Sequence, residues 1–306
     1  MNTKTFEELP EIGGVLSRFV RSELPLSHLP IIGNYFGKPK GDKGALPEVR
    51  YVVEKFTADA EHLSFYNQVC GFKDNGFLPP TYLGVIAQRL QMDMFTQEPF
   101  AYPVLGTVHI ANKIVQHRPV AQYETLKLSC EYGKLEPHEK GHQFDFLTKT
   151  FDEQGELVYE AFNTYLIRGK SSLSGDAKPS VKQSKPAPKP DDIHGVWHVP
   201  ADQGRVYAKA GGDYNFIHLH PLLAKAFGFK AAIAHGMWSK ARVLAELGEF
   251  PDAFEVTVNF KLPIFLPAQV ELIAHVEQVD GKKVTEFTLY DAKSDKPHLT
   301  GELKEL

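Results

Sequence analysis

Cysteine is nearly absent. Only Cys70 and Cys130 occur in 306 residues, with no CxxC spacing and no histidine cluster of zinc-finger type. That excludes a disulfide framework and predicts two free thiols in a reducing compartment, the cytoplasm. A strong charge of either sign is also missing. Lysine and arginine number 34 against 38 acidic residues, a net charge of -4. No global basic field is present, so no nucleic-acid partner is expected. No apolar run reaches the roughly 18 residues that a membrane span needs. The most apolar stretch near the N-terminus, Val15 to Ile32, is broken by Arg18, Arg21, Glu23, Pro25 and Pro30. Glu7, Glu8 and Glu11 come early and no apolar core follows them, which does not read as a signal peptide. What remains is a composition of 42% hydrophobic and 11% aromatic residues, that of a globular protein long enough for two domains.

Large apolar side chains are almost missing from residues 169–192, GKSSLSGDAKPSVKQSKPAPKPDD, which are rich in Pro, Ser and Lys. Such a segment buries too little surface to offset its ordering entropy and is expected to be a linker. It separates residues 45–168 from residues 193–306. Residues 1–44 are expected to form an N-terminal extension, with turn signals at Gly13-Gly14 and Gly33-Asn34.

The two halves read as degenerate copies of one plan. In the first, Leu83, Ile86, Ala87, Leu90 and Met94 recur at helical spacing within 78–95. Segments of period two follow at 108–116, 124–132, 143–151 and 158–167. In the second, 236–247 is the helix and 254–262, 269–279, 283–292 and 298–305 are the strands. Asp280-Gly281 between the middle two signals a hairpin. HRPV at 117–120 falls where KLPI falls at 261–264. One long helix followed by antiparallel strands, twice over, predicts an α+β fold with each sheet wrapped on its helix. Pro79-Pro80 predicts a late or broken start to the first helix, and a shortened helix there would leave apolar space beside the sheet.

The chemistry concentrates in 207–241, YAKAGGDYNFIHLHPLLAKAFGFKAAIAHGMWSKA. Gly211 and Gly212 precede Asp213, with Asn215 and His218 close behind. An acid and an imidazole on one turn can contact a single water molecule, take one proton and give another, as hydration of a double bond requires. His235-Gly236-Met237 stands at the start of the second long helix. There unpaired main-chain N–H groups and the helix dipole favour negative charge, so the Gly236 amide is a candidate oxyanion site. Taken alone, Asp213 and Asn215 could be simple turn residues. His235 could fix the loop by a hydrogen bond without taking part in chemistry. A metal held by His218, His220 and His235 is not needed for this reaction, and none is expected. His109, His117, His138 and His142 have no acid at catalytic spacing and are expected in surface or core roles. The first half offers Asn67, Asp74 and Asn75 but no matching histidine, and is expected to be non-catalytic while shaping the pocket.

The string GGDYNFIHLHP…AAIAHGMW…VNFKLPIF resembles the MaoC-like hydratases, the (R)-specific enoyl-CoA hydratases and the hydratase 2 domains. The motif covers about 200–275, and the likeness extends more loosely over the first half. Phe216 stands where that family usually has proline, and Gly211 where a serine or threonine is common. The resemblance implies a double hot-dog fold, two curved antiparallel sheets each wrapped around a long helix. It also implies a cofactor-free hydro-lyase acting between a trans-2-enoyl thioester and the (R)-3-hydroxyacyl thioester of fatty-acid or related metabolism. Asp213 and His218 would be the catalytic pair, Asn215 would orient the aspartate or water, and Gly236 would bind the thioester oxygen. The substrate would be an acyl-CoA or an acyl-ACP, and the resemblance allows a homodimer of such double chains. The alternatives are a hot-dog thioesterase and an acyl-binding module without turnover.

Overall fold

The computed structural model describes residues 1–10, 44–96, 100–102, 107–169 and 185–306. The turn signals at Gly13-Gly14 and Gly33-Asn34, and most of the expected linker, lie outside these residues.

Strand β1 (Asn2–Phe6) is followed by β2 (Val49–Phe56), helix α1 (Ala60–Cys70) and helix α2 (Tyr82–Phe95). Then come β3 (Thr107–Gln116), β4 (Leu126–Tyr132), β5 (Glu136–His138), β6 (Gly141–Phe151) and β7 (Leu157–Arg168). The second half opens with β8 (Ile193–Val199) and three short helices, α3 (Gln203–Gly211), α4 (Phe216–Leu219) and α5 (Pro221–Ala226). It closes with α6 (Gly236–Leu247), β9 (Phe254–Phe260), β10 (Ala268–Val279), β11 (Lys282–Asp291) and β12 (Pro297–Glu305).

Strand order makes the internal duplication visible. Half one runs β2-β4-β6-β7-β3, and half two runs β8-β10-β11-β12-β9 from its own outer edge inward. Each strand of one half thus has its counterpart at the same place in the other. The two sheets do not stand apart. They are hydrogen-bonded edge to edge through β3 and β9, in one sheet of 12 strands. Aligning HRPV with KLPI makes Lys113 and Thr257 counterparts, and these two are paired directly across the joint. The duplication therefore carries a pseudo-twofold axis through that pair. One pairing is not antiparallel: β1 lies parallel to β2, so the first residues of the N-terminal extension add a strand at the sheet's edge.

Local chemistry accounts for the long elements. Pro79 and Pro80 cannot donate main-chain bonds, and α2 begins just after them at Tyr82. It then runs unbroken for 14 residues, against 12 for α6. The expectation of a shortened first helix is thus corrected: the prolines set its start without costing it length, so no apolar space opens beside the sheet on their account. Asp280 and Gly281 both have positive φ (52° and 79°) in the two-residue loop joining β10 to β11, as a hairpin matched to strand twist requires. β9 alternates buried and half-buried residues, with Phe254, Val256 and Val258 facing the core.

The halves share one core, in which Leu83, Ile86, Leu90 and Met94 of α2 join Trp238, Ala241 and Leu244 of α6. Trp238 donates its indole N–H to the Val69 carbonyl in α1 (3.1 Å), a polar tie across the same boundary. The end of the expected linker is docked as well: Lys185 pairs with Glu271 (2.8 Å) and Asp192 with His275 (3.0 Å), both partners on β10.

Candidate active site

Helix α3 delivers the acid. Its last turn closes on Gly212, whose φ of 74° is left-handed and whose N–H donates to the Ala208 carbonyl (2.9 Å). A residue with a side chain is strained in that conformation, which is why a glycine precedes the acid. The reversal projects Asp213 away from the helix axis.

Helix α4 delivers the imidazole of His218. The Asn215 carboxamide oxygen accepts from the Ile217 N–H (3.3 Å) and caps that turn. His218 then faces inward, 9% exposed. Its Nδ1 lies 2.9 Å from the Ile233 carbonyl oxygen. A carbonyl only accepts, so Nδ1 carries the proton and Nε2 presents a lone pair. The loop to α6 places His235 beside it, the rings stacked at 3.7 Å between centroids. His235 Nε2 donates to the main-chain carbonyl of Asp213 (2.9 Å) and so holds the loop that carries the acid. One side-chain ligand atom each of Asp213, His218 and His235 lies within 4.8 Å of the other two. Imidazole lone pairs lie in the ring plane, so two rings stacked at 3.7 Å hold theirs in separate, nearly parallel planes, a poor arrangement for binding one ion in plane with both. The trio suits proton transfer better than metal ligation.

The electrostatics follow from burial and hydrogen bonds. Burial raises the Asp213 carboxyl, but the two imidazoles, the Asn215 amide (3.0 Å to Oδ1) and the Gln88 carboxamide (3.2 Å to Oδ2) outweigh it and hold the group below its ordinary value. Burial pulls His218 below the usual imidazole value, with Asp213 and its bond to Ile233 opposing. Burial and the neighbouring His218 push His235 down to about 3, so it stays neutral. Near neutral pH the site therefore holds one carboxylate and the lone pairs of two neutral imidazoles, His218 Nε2 and His235 Nδ1, all of them acceptors.

Beside them stands the start of α6. His235 is its N-cap and makes no side-chain cap bond, and the first turn closes with Ser239 N–H on the His235 carbonyl (3.1 Å). The Gly236 amide therefore lies in the unpaired first turn of that helix. A Cβ added at Gly236 would stand 3.0 Å from the Phe260 ring, so the glycine also serves close packing there.

The structure thus brings Asp213, His218, His235 and Gly236 to one place. Asn215 is there too, but it reaches Asp213 through its main-chain N–H while its carboxamide caps α4. His220 caps α5 at Leu222 and is exposed. One residue of the first half at the site was not anticipated. Gln88 on α2 touches Asp213 directly. His109 on β3, expected in a surface or core role, stacks on Tyr165 and lies against Phe260 (4.7 and 5.0 Å between centroids). Burial and Lys240 push it down to about 4, and it feels the charge of Asp213.

A family model described as MaoC like domain matches residues 177–295. The 3-hydroxyacyl-thioester dehydratase X of Mycobacterium tuberculosis is 32% identical over 269 residues, 88% of this chain and 92% of that protein. The chain belongs to the MaoC-like dehydratase family. The crystal structure of HtdX from Mycobacterium tuberculosis superposes on this MaoC-like chain with a TM-score of 0.70 at 32% identity, covering 83% of this chain and 99% of that one. A second Mycobacterium tuberculosis protein, described as having a double hot-dog fold, is 10% identical with a TM-score of 0.54 over 87% of this chain and 96% of its own. That likeness shows architecture alone, and it gives the paired sheets of this MaoC-like chain their name: a double hot-dog fold. No helix among the described residues is long and apolar enough to cross a membrane.

Proposed function

We propose that this chain is a hydro-lyase that adds water reversibly to a trans-2-enoyl thioester, giving the (R)-3-hydroxyacyl thioester, and that Asp213 and His218 carry the proton transfers. One observation supports this above the others: an ionised carboxylate and an imidazole of fixed tautomer offer two acceptors side by side, next to the open start of a helix. A water molecule donating one hydrogen to each acceptor has its oxygen lone pairs turned toward a substrate. Its oxygen bonds to the β-carbon, and the proton it loses passes to the Asp213–His218 pair. The π electrons collect on the thioester oxygen as an enolate, which the Gly236 amide and the α6 dipole stabilise. The same proton is then delivered to the α-carbon, so one water is consumed and no net proton. Dehydration is the reverse path.

The carrier is coenzyme A or acyl carrier protein. Residues 45–168 form the non-catalytic copy and residues 193–306 the catalytic one, joined by 169–192. Cys70 and Cys130 are free and buried, which fits a reducing compartment, the cytoplasm. The test is crotonyl-CoA followed in the enoyl-thioester absorbance band, with a thiol reagent in a parallel assay. Loss of the band without free thiol is the expected result. Thiol release would make the chain a thioesterase, and no change in either channel would leave the dyad without this reaction.

A further inference from the structure

We infer that Gln88, on α2 of the half that lacks the Asp-His motif, is a positioning residue for Asp213, so that the active site is composite and incomplete without the first half. The inference rests on the reading of Asp213 as the acid–base carboxylate. The geometry is specific. Gln88 Nε2 lies 3.2 Å from Asp213 Oδ2, a contact between residues 125 apart in sequence. The other oxygen, Oδ1, accepts from the Asn215 N–H at 3.0 Å. The two carboxylate oxygens are thus held from opposite sides of the chain, one by the catalytic loop and one by the other half. Gln88 is 7% exposed, so its carboxamide is not competing with bulk water. An ionised carboxylate only accepts, which fixes the orientation of the amide: the NH2 group faces Asp213.

The chemistry explains why a carboxamide suits this place. A lysine or arginine would neutralise Asp213 and weaken it as a base. A second carboxylate would force the two groups to share a proton. An apolar residue would leave Oδ2 free to rotate away from the water. A neutral donor keeps the carboxylate charged, basic and aimed. The other titratable groups around Asp213 do not take over this task. His218 and His235 stand beside it from the catalytic loop, Tyr207 lies in α3, Tyr165 in β7 and His109 in β3, with Lys240 of α6 acting on His109. Among the described residues, the side-chain donor given to an Asp213 carboxylate oxygen is Gln88.

The test uses the full chain and needs no substrate. Aspartate labelled at the side-chain carboxyl carbon is titrated by NMR, with the Asp213 resonance assigned by its loss in Asp213→Asn. In Gln88→Leu, which keeps the bulk and removes the donor, the Asp213 midpoint should move up. In Gln88→Glu, which keeps the length and replaces the donor with an acid, it should move up further. Turnover should fall about tenfold in Gln88→Leu with KM changed less than about twofold, a loss short of that on removing an acid–base group. A purely structural Gln88 would lower thermal stability and leave the Asp213 midpoint in place, and that result overturns the inference. Because the titration reads Asp213 without catalysis, a chain that hydrates no enoyl thioester would end the functional reading alone.

Discussion

The side chains at the site divide by what burial does to them. His218 must be neutral to accept a proton, and burial lowers it from its ordinary value of 6.5. Asp213 is held ionised below the usual carboxylate range. The acidic limb of kcat/KM should therefore belong to His218 and lie below pH 6.5, with full activity at pH 7. An acidic limb above 6.5 would show that burial is not what governs this imidazole. His218→Ala removes the donor to the Ile233 carbonyl and should cost about 1–3 kcal/mol of stability as well as rate. His218→Asn keeps an N–H there and separates the two effects. Gly236→Val should lower the rate about tenfold or more with native far-UV dichroism, because its Cβ stands 3.0 Å from the Phe260 ring and crowds the helix start. A folded Gly236→Val chain with unchanged kinetics would place the thioester carbonyl elsewhere. The Asp213, His218 and Gly236 positions were legible because a turn, a histidine and a helix start lie within one short stretch. Gln88 was not: its partner is 125 residues away, and no local pattern carries that contact.

At the level of elements, the strands and the two long helices follow the sequence periodicity within a few residues. Period-two burial in β6 and β9 and the hairpin at Asp280-Gly281 are strong local signals. Two of the elements that escaped carry weak patterns. Helix α3 is nine residues long and carries Gly204 and Gly211, which lower its propensity. Strand β8 alternates only between half-buried and exposed positions along HGVWH, so little apolar contrast marks it. The joint between β3 and β9 depends on pairing two distant segments. Its most unusual group is Lys240 of α6, fully buried, whose Nζ donates to Asn112 of β3. Asn112 in turn donates to Asn163 and to the Phe162 carbonyl. Burial holds Lys240 well below its ordinary 10.5. Between its folded and ordinary values the unfolded chain binds a proton that the native chain does not, so this group's contribution to stability rises with pH across that window. Lys240→Met should match or exceed the parent's unfolding midpoint at pH 7, and its advantage should shrink toward pH 10. A gap that stays constant or widens with pH would contradict the depressed lysine.

Over the whole molecule, the proposed chemistry falls to one copy while both copies reach the site. The second copy holds Asp213, His218 and the start of α6. The first supplies the sheet joint, α2 and Gln88. The account stands on Asp213 and His218 acting on one water molecule, and the most direct measurement compares crotonyl-CoA hydration by the parent, Asp213→Asn, His218→Ala and the double variant. Each single change should lower turnover by about two to four orders of magnitude. The double variant should be little worse than the poorer single one, because both groups serve a single proton transfer. Near-parental turnover in either single variant, or losses that multiply in the double one, would contradict it.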